Sequence, residues 1–150
     1  MNWIFARFEA LTLFQLYEVL KFRQQIFVVE QNCVYADLDD YDKHCYHLLG
    51  YDGEELICCS RILSPGLKYE HASIGRVALK KERRGNGIAD ELMKNSIDYL
   101  YKIFGVVPVK IGAQAYLENF YSKFGFKTIS EPYDEDGILH IDMLKLPDKT

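Results

Sequence analysis

Long apolar runs are missing from this sequence: no stretch of its 150 residues approaches the length needed to cross a bilayer, so a membrane partner is not expected. Basic charge is short as well, with 18 Lys and Arg against 22 Asp and Glu and a net charge of −4. Sequence-independent nucleic-acid binding depends on clustered Lys and Arg that neutralise phosphates, and this balance argues against it. It agrees weakly with a cationic substrate. Cysteine occurs four times, at Cys33, Cys45, Cys58 and Cys59, never in the C-x-x-C spacing of a zinc site. Adjacent Cys58 and Cys59 would point to opposite faces of a strand, and free thiols in a reducing cytoplasm are the simplest account. The opening MNWIFARFEALTLF is interrupted by Arg7 and Glu9 and lacks a small-residue cleavage site, so it does not read as a signal peptide. Repeats, low-complexity tracts and linker-like runs are also absent. The expectation is one soluble, cytoplasmic domain over residues 1–150.

Aromatic residues are plentiful, eleven Tyr and nine Phe, and filling the core is the first explanation, a lined pocket the second. WIFARF reads as a strand, and Thr12 with Gln15 three residues on forms a capping box. The helix it opens carries Leu13, Leu16, Tyr17 and Leu20 on one face and should run to about Phe27. FVVEQNCVYADLDDYDKHC then reads as a long solvated acidic loop. It is no calcium loop, because Asp42 and Leu48 stand where Gly and Glu are required. YHLLGYDGEELICCSRIL reads as two strands around Asp52-Gly53, SPGLKYEHA as a connecting loop and SIGRVALK as a further strand.

From Ile88 an amphipathic helix with Leu92, Ser96, Ile97, Tyr101 and Phe104 on its face is closed by Gly105, and VPVKIGAQ follows as a strand. Strand, helix, strand makes a crossover with parallel strands. YLENFYSKF reads as a short helix ending at Gly125, and FKTIS with ILHIDMLKL as a terminal antiparallel pair around EPYDEDG. The sum is an α/β or α+β domain with a mixed sheet of about seven strands and three to four helices.

The chemistry concentrates in GRVALKKERRGNGIADELM. Gly85 and Gly87 lack Cβ atoms at a helix entrance, where free amides and the positive dipole end bind phosphate, and Arg83 and Arg84 add charge. A nucleoside-triphosphate loop is excluded because Ile88 and Ala89 replace its Lys and Ser or Thr, and Asp90 replaces the third glycine of a dinucleotide fingerprint. Arg84-Gly85-Asn86-Gly87-Ile88-Ala89 resembles the R/Q-x-x-G-x-G/A element of the GNAT superfamily of acyl-CoA-dependent N-acyltransferases. Downstream, QAYLENFYSKFGF resembles that superfamily's second signature. With FRQQIFVVEQNCVYADLDDYD, GRVAL and DEDGILHIDM, nearly the whole chain is similar to the ElaA-type bacterial subgroup. Gln114 stands where many relatives have Asn, and Leu117 where many have Ala.

The resemblance implies a mostly antiparallel sheet with one splayed parallel pair. It implies acetyl-CoA as co-substrate, with Arg84, Gly85, Asn86, Gly87, Ile88 and Ala89 at its pyrophosphate, Val77, Ala78 and Leu79 along its pantetheine arm, and Gln114 as a further contact. An amide near Leu79 would polarise the thioester carbonyl, and Tyr121 by its place in the signature would protonate the leaving thiolate. The acceptor amine must lose a proton before it attacks, and Glu30 is the best single candidate for base or amine anchor. His140, His44 and His47 are the other titratable groups. Arg23 and Arg76 are candidates for an acceptor carboxylate, or else partners of the acidic loop. No metal is called for.

The leading expectation is transfer of an acetyl group to a primary amine by direct attack in a ternary complex, since neither signature contains a Cys. The alternative is a non-catalytic acyl-CoA-binding module or sensor. Acyl-homoserine-lactone-type chemistry is a variant, because FVVEQ resembles that related fold, yet an acidic surface offers an acyl-carrier protein no docking patch. The acceptor, a small molecule or peptide, is unspecified by the residues. The loop from Cys33 to His47 and EPYDEDG should shape its pocket, and a homodimer stays open.

Overall fold

A computed structural model describes residues 1–148. Two four-stranded sheets meet at one seam. The first is antiparallel throughout, in the order β1 (Asn2–Arg7), β2 (Tyr46–Asp52), β3 (Glu55–Leu63), β4 (Ser73–Leu79). In the second, β8 (Ile138–Lys145) is central, with β5 (Val109–Gln114) on one edge and both β6 (Phe126–Thr128) and β7 (Tyr133–Glu135) on the other. Strand β7 is the one not read from the sequence, and it brings the total to eight where the pattern gives about seven. Its acidic composition hides it, but Asp136 and Gly137 at φ 53° and 83° make the two-residue turn that folds it onto β8.

The capping box forms as expected: Gln15 N donates to Thr12 Oγ1 at 3.1 Å and Thr12 N to Gln15 Oε1 at 2.9 Å, opening α1 (Leu13–Arg23). Its buried side is set by Val19 and Arg23, whereas Leu13 and Tyr17, expected on the inner face, are 85% and 71% exposed. The helix also continues past Phe27 as a π-helix, Gln24–Glu30, whose wider turns carry Glu30 and Gln31 to the pocket described below.

Helix α2 (Ile88–Phe104) holds the seam. Its Leu92 packs with Leu48, Ile57 and Leu79 of the first sheet, while Met93, Ile97 and Leu100 pack with Val109, Ile111 and Met143 of the second. On the far side of the first sheet, Val19 and Ile26 close a third cluster over Leu49, Cys59 and Ala78. Cys58 and Cys59 thus fall into different clusters. A short α3 (Glu118–Ser122) follows β5, and Gly125 at φ 93° lies beyond its end. Among the described residues no helix is long and apolar enough to cross a membrane.

Candidate functional site

Strands β4 and β5 are parallel neighbours only at their starts. Ala72 bridges Val109 and Lys110 N donates to Ala72 O at 2.9 Å, after which the named pairings cease. The divergence has a local cause. Cys59 and Arg61 of β3 pair with Ala78 and Gly75 of β4, so two steps along one strand face three along the other. The surplus residue is a bulge, and Arg76 within it takes φ 48°, a left-handed conformation uncommon for a side chain of that size. The strand bends there and the two sheets open.

A pocket of about 560 Å³ fills the opening, walled by β4 from Ser73 to Leu79 and by β5 from Ile111 to Gln114. At the end where β4 runs out, Gly85 and Gly87 adopt φ 87° and 80°, and a Cβ on either would meet nothing within 4 Å. The first intrahelical bond of α2 runs from Glu91 N to Gly87 O at 3.2 Å, which leaves the amides of Ile88, Ala89 and Asp90 without a partner inside the helix. Bare backbone, unused donors and a dipole end meet here in open space, an arrangement that suits a diphosphate.

Arg84 stands beside it. Its Nε and Nη2 donate to Leu79 O at 3.1 and 2.9 Å, and Nη2 also reaches Glu30 Oε2 at 2.8 Å. Arg83 instead turns away to Asp52 at 2.7 Å. Of the other expected cofactor contacts, Val77, Ala78, Leu79, Ala89 and Gln114 line the pocket, and Gln114 Nε2 donates to Gln31 Oε1 at 3.1 Å. Gly85, Asn86, Gly87 and Ile88 form the turn at its mouth, outside its walls.

Tyr121 reaches the same pocket from α3. It is only 7% exposed, packed edge-on against Phe120 and Phe126, and burial followed by the nearby Tyr116 pushes its phenol upward, so it keeps its proton at neutral pH. Glu30 and His140 also line the pocket. His140 Nδ1 lies 2.8 Å from Ile138 O, which makes that nitrogen the donor and turns Nε2 toward Glu135 at 3.3 Å. His44 is exposed and His47 buried, and neither borders the pocket.

The acidic loop is only partly solvated, contrary to expectation: Asp40 is exposed, but others of its aspartates turn inward. Asp37 and Asp42 are buried around Arg23 and Arg61, which are 1% and 2% exposed. Arg23 Nε meets Asp37 at 3.0 Å, and its Nη1 and Nη2 grip Asp42 at 2.8 and 3.1 Å. Arg61 grips Asp39 at 2.7 and 2.9 Å and touches Asp42 at 2.8 Å. Arg76 Nε lies 2.8 Å from Asp37 Oδ1 but off the N–H axis, so that contact is coulombic, while its Nη2 donates to Asp37 O at 3.0 Å. Burial alone would raise the Asp42 carboxyl, but hydrogen bonds and charge from Arg23 and Arg61 outweigh it and the net shift is downward. Asp39 follows the same pattern under Arg61 and Arg76. Arg23 is therefore consumed by the loop and lies outside the pocket, which corrects its placement at an acceptor carboxylate. Arg76 borders the pocket with its charge already paired.

All four cysteines are free thiols. Burial pushes Cys58 and Cys59 up to about 12 and Cys45 up to about 11, so none of the three is a nucleophile at neutral pH. Cys33, which the motifs do not mark, lines the pocket with its Sγ donating to Asp136 O at 3.2 Å. Sequence reasoning also missed Arg61, Lys68 and Tyr69. One signal did exist, the glycine inside β5: a Cβ on Gly112 would stand 3.2 Å from the Tyr69 hydroxyl.

The model of the acetyltransferase (GNAT) domain family matches residues 18–147. The protein ElaA of Escherichia coli is 39% identical over 147 residues, covering 97% of this chain and 96% of its own. The crystal structure of Escherichia coli ElaA superposes with a TM-score of 0.90 at 38% identity, over 96% of this chain and 98% of that one. That of an acyl-CoA N-acyltransferase from Pseudomonas aeruginosa gives 0.91 at 33% identity, over 97% and 99%.

Proposed function

The chain belongs to the GNAT acetyltransferase family and is an acyl-CoA-dependent N-acyltransferase, and from that premise we propose that it transfers an acetyl group from acetyl-CoA to a primary amine by direct attack in a ternary complex. The observation that carries this reading is the continuity of the β4–β5 gap with the open turn before α2. A diphosphate held by the amides of residues 84–89 sends its pantetheine arm along Val77, Ala78 and Leu79, where β4 lacks a partner on the β5 side. Arg84 adds the guanidinium, exchanging Glu30 for the more highly charged phosphate oxygens.

In the chemical step the amine nitrogen forms a bond to the thioester carbon and the C–S bond breaks. In this reading main-chain N–H groups at the bulge, around Arg76 and Val77, and toward Leu79 are assigned to the carbonyl oxygen as it gathers charge. Tyr121 gives its proton to the departing thiolate, which its protonated phenol at the pocket wall permits. Glu30, released by Arg84, takes a proton from the acceptor's ammonium so that the neutral amine can attack, or anchors that amine in place.

The test is to incubate the protein with acetyl-CoA and a panel of primary amines, following free thiol and the mass of each amine. N-acetylated product formed in step with thiol supports the reading. Saturable binding of acetyl-CoA with no amine acetylated contradicts it.

A further inference from the structure

We propose that the acceptor amine carries a carboxylate and that Lys68 holds it. The inference rests on the acyl-transfer reading, since it concerns the second substrate of the same pocket. Four cations line that pocket: Arg61, Lys68, Arg76 and Arg84. Three are spoken for, Arg61 by Asp39 and Asp42, Arg76 by Asp37 and Asp39, and Arg84 by Glu30. Lys68 alone of the four has no carboxylate within 4 Å among the described residues.

Lys68 is exposed, and its ammonium is flanked by two aromatic rings. The ammonium lies 5.9 Å from the centre of the Tyr41 ring and 5.5 Å from that of Tyr69, and aromatic faces hold a cation without neutralising it. Tyr69 anchors the segment over β5 through the close approach at Gly112, and Gly66 N donates to Tyr69 O at 2.8 Å to close the turn. Lys68 is thereby presented at the gap. Desolvation lowers its pKa and Arg61 and Arg76 lower it further, while Glu135 and Asp39 act in the opposite direction, so the ammonium sits in a field of both signs with no carboxylate in contact. Arg61 Nε, buried with no hydrogen-bond partner beside Gly75, belongs to the same field.

The other lining charges are acidic: Glu30, Asp39, Glu135 and Asp136 border the pocket as well, Glu30 and Asp39 already paired with arginines. A small zwitterion would find partners for both ends. A polyamine would have to place a second ammonium against Lys68.

The experiment compares common L-amino acids, their carboxamides and spermidine as acceptors for wild type, Lys68→Ala and Lys68→Arg, with acetyl-CoA as donor. The proposal expects the best acid to exceed its own amide by about tenfold or more in kcat/KM. It expects Lys68→Ala to raise KM for that acid by about tenfold with kcat little changed, to leave the amide unaffected, and to be largely reversed in Lys68→Arg. Equal use of acid and amide, a preference for spermidine, or an equal effect of Lys68→Ala on both overturns it. Thermal shifts separate the two readings. If no amine is acetylated but amino acids stabilise wild type and not Lys68→Ala, the carboxylate site stands and the acetyl-transfer reading falls. If acetylation proceeds without carboxylate preference, the reverse holds.

Discussion

Tyr121 and Glu30 come to the pocket from different elements, α3 and the π-helix, and their variants separate chemistry from binding. Tyr121→Phe removes one hydroxyl from a packed ring, so the expected result is a fall in kcat of roughly 10²–10⁴-fold with the acetyl-CoA dissociation constant unchanged, read by steady-state kinetics and calorimetry. Glu30→Gln has a split outcome. Losing the carboxylate frees Arg84 from its 2.8 Å partner, so acetyl-CoA should bind more tightly while turnover drops; weaker binding would mean that the ion pair positions Arg84 instead of competing for it. Cys33→Ser should retain turnover, because direct attack needs no thiol; loss of activity with an acetylated thiol in wild type would point to a covalent intermediate. At this scale the motifs located Arg84, Gln114 and Tyr121 on the pocket wall, since backbone-binding loops leave a sequence trace. They could not locate Lys68 or Tyr69, whose relevance arises only when the 64–72 connection folds onto β5.

Among the elements, the bulge in β4 and the turn before α2 matter most. Gly87 sits at φ 80° with open space before it, so Gly87→Val strains the turn by about 1–2 kcal/mol and puts a branched side chain where the proposed reading seats the phosphates. Acetyl-CoA should then raise the melting temperature less than in wild type; an undiminished shift would place the diphosphate elsewhere. The 33–45 loop supplies a different lesson. Its clustered aspartates read as solvated because their arginine partners lie on α1 and β3, distant in sequence, and only the fold brings them together. Arg23→Ala leaves Asp37 and Asp42 buried without that compensation and should cost about 3–5 kcal/mol in a denaturation experiment.

For the molecule as a whole, pH links this network to stability. Burial holds His47 below its usual 6.5, so the folded state keeps it neutral and the unfolded chain binds the extra proton. Its contribution is complete above 6.5 and is lost as pH falls through the depressed folded value. Asp39 and Asp42, both below the usual 3.8, add a second loss under more acidic conditions. The melting temperature should therefore decline in two steps on acidification, the first weakened in His47→Gln. The crossover of β4, α2 and β5 was legible as strand, helix, strand, but within one mixed sheet, where the structure has two sheets joined at a bridge. The bulge that parts them was not, because one surplus residue leaves no mark on hydrophobic periodicity. The central claim, that the parted strands and the turn before α2 together receive the acyl donor, is tested most directly by amide hydrogen exchange with and without acetyl-CoA. The account predicts added protection in two stretches at once, residues 84–90 and residues 75–79; protection confined to other segments, or none at saturating ligand, would contradict it.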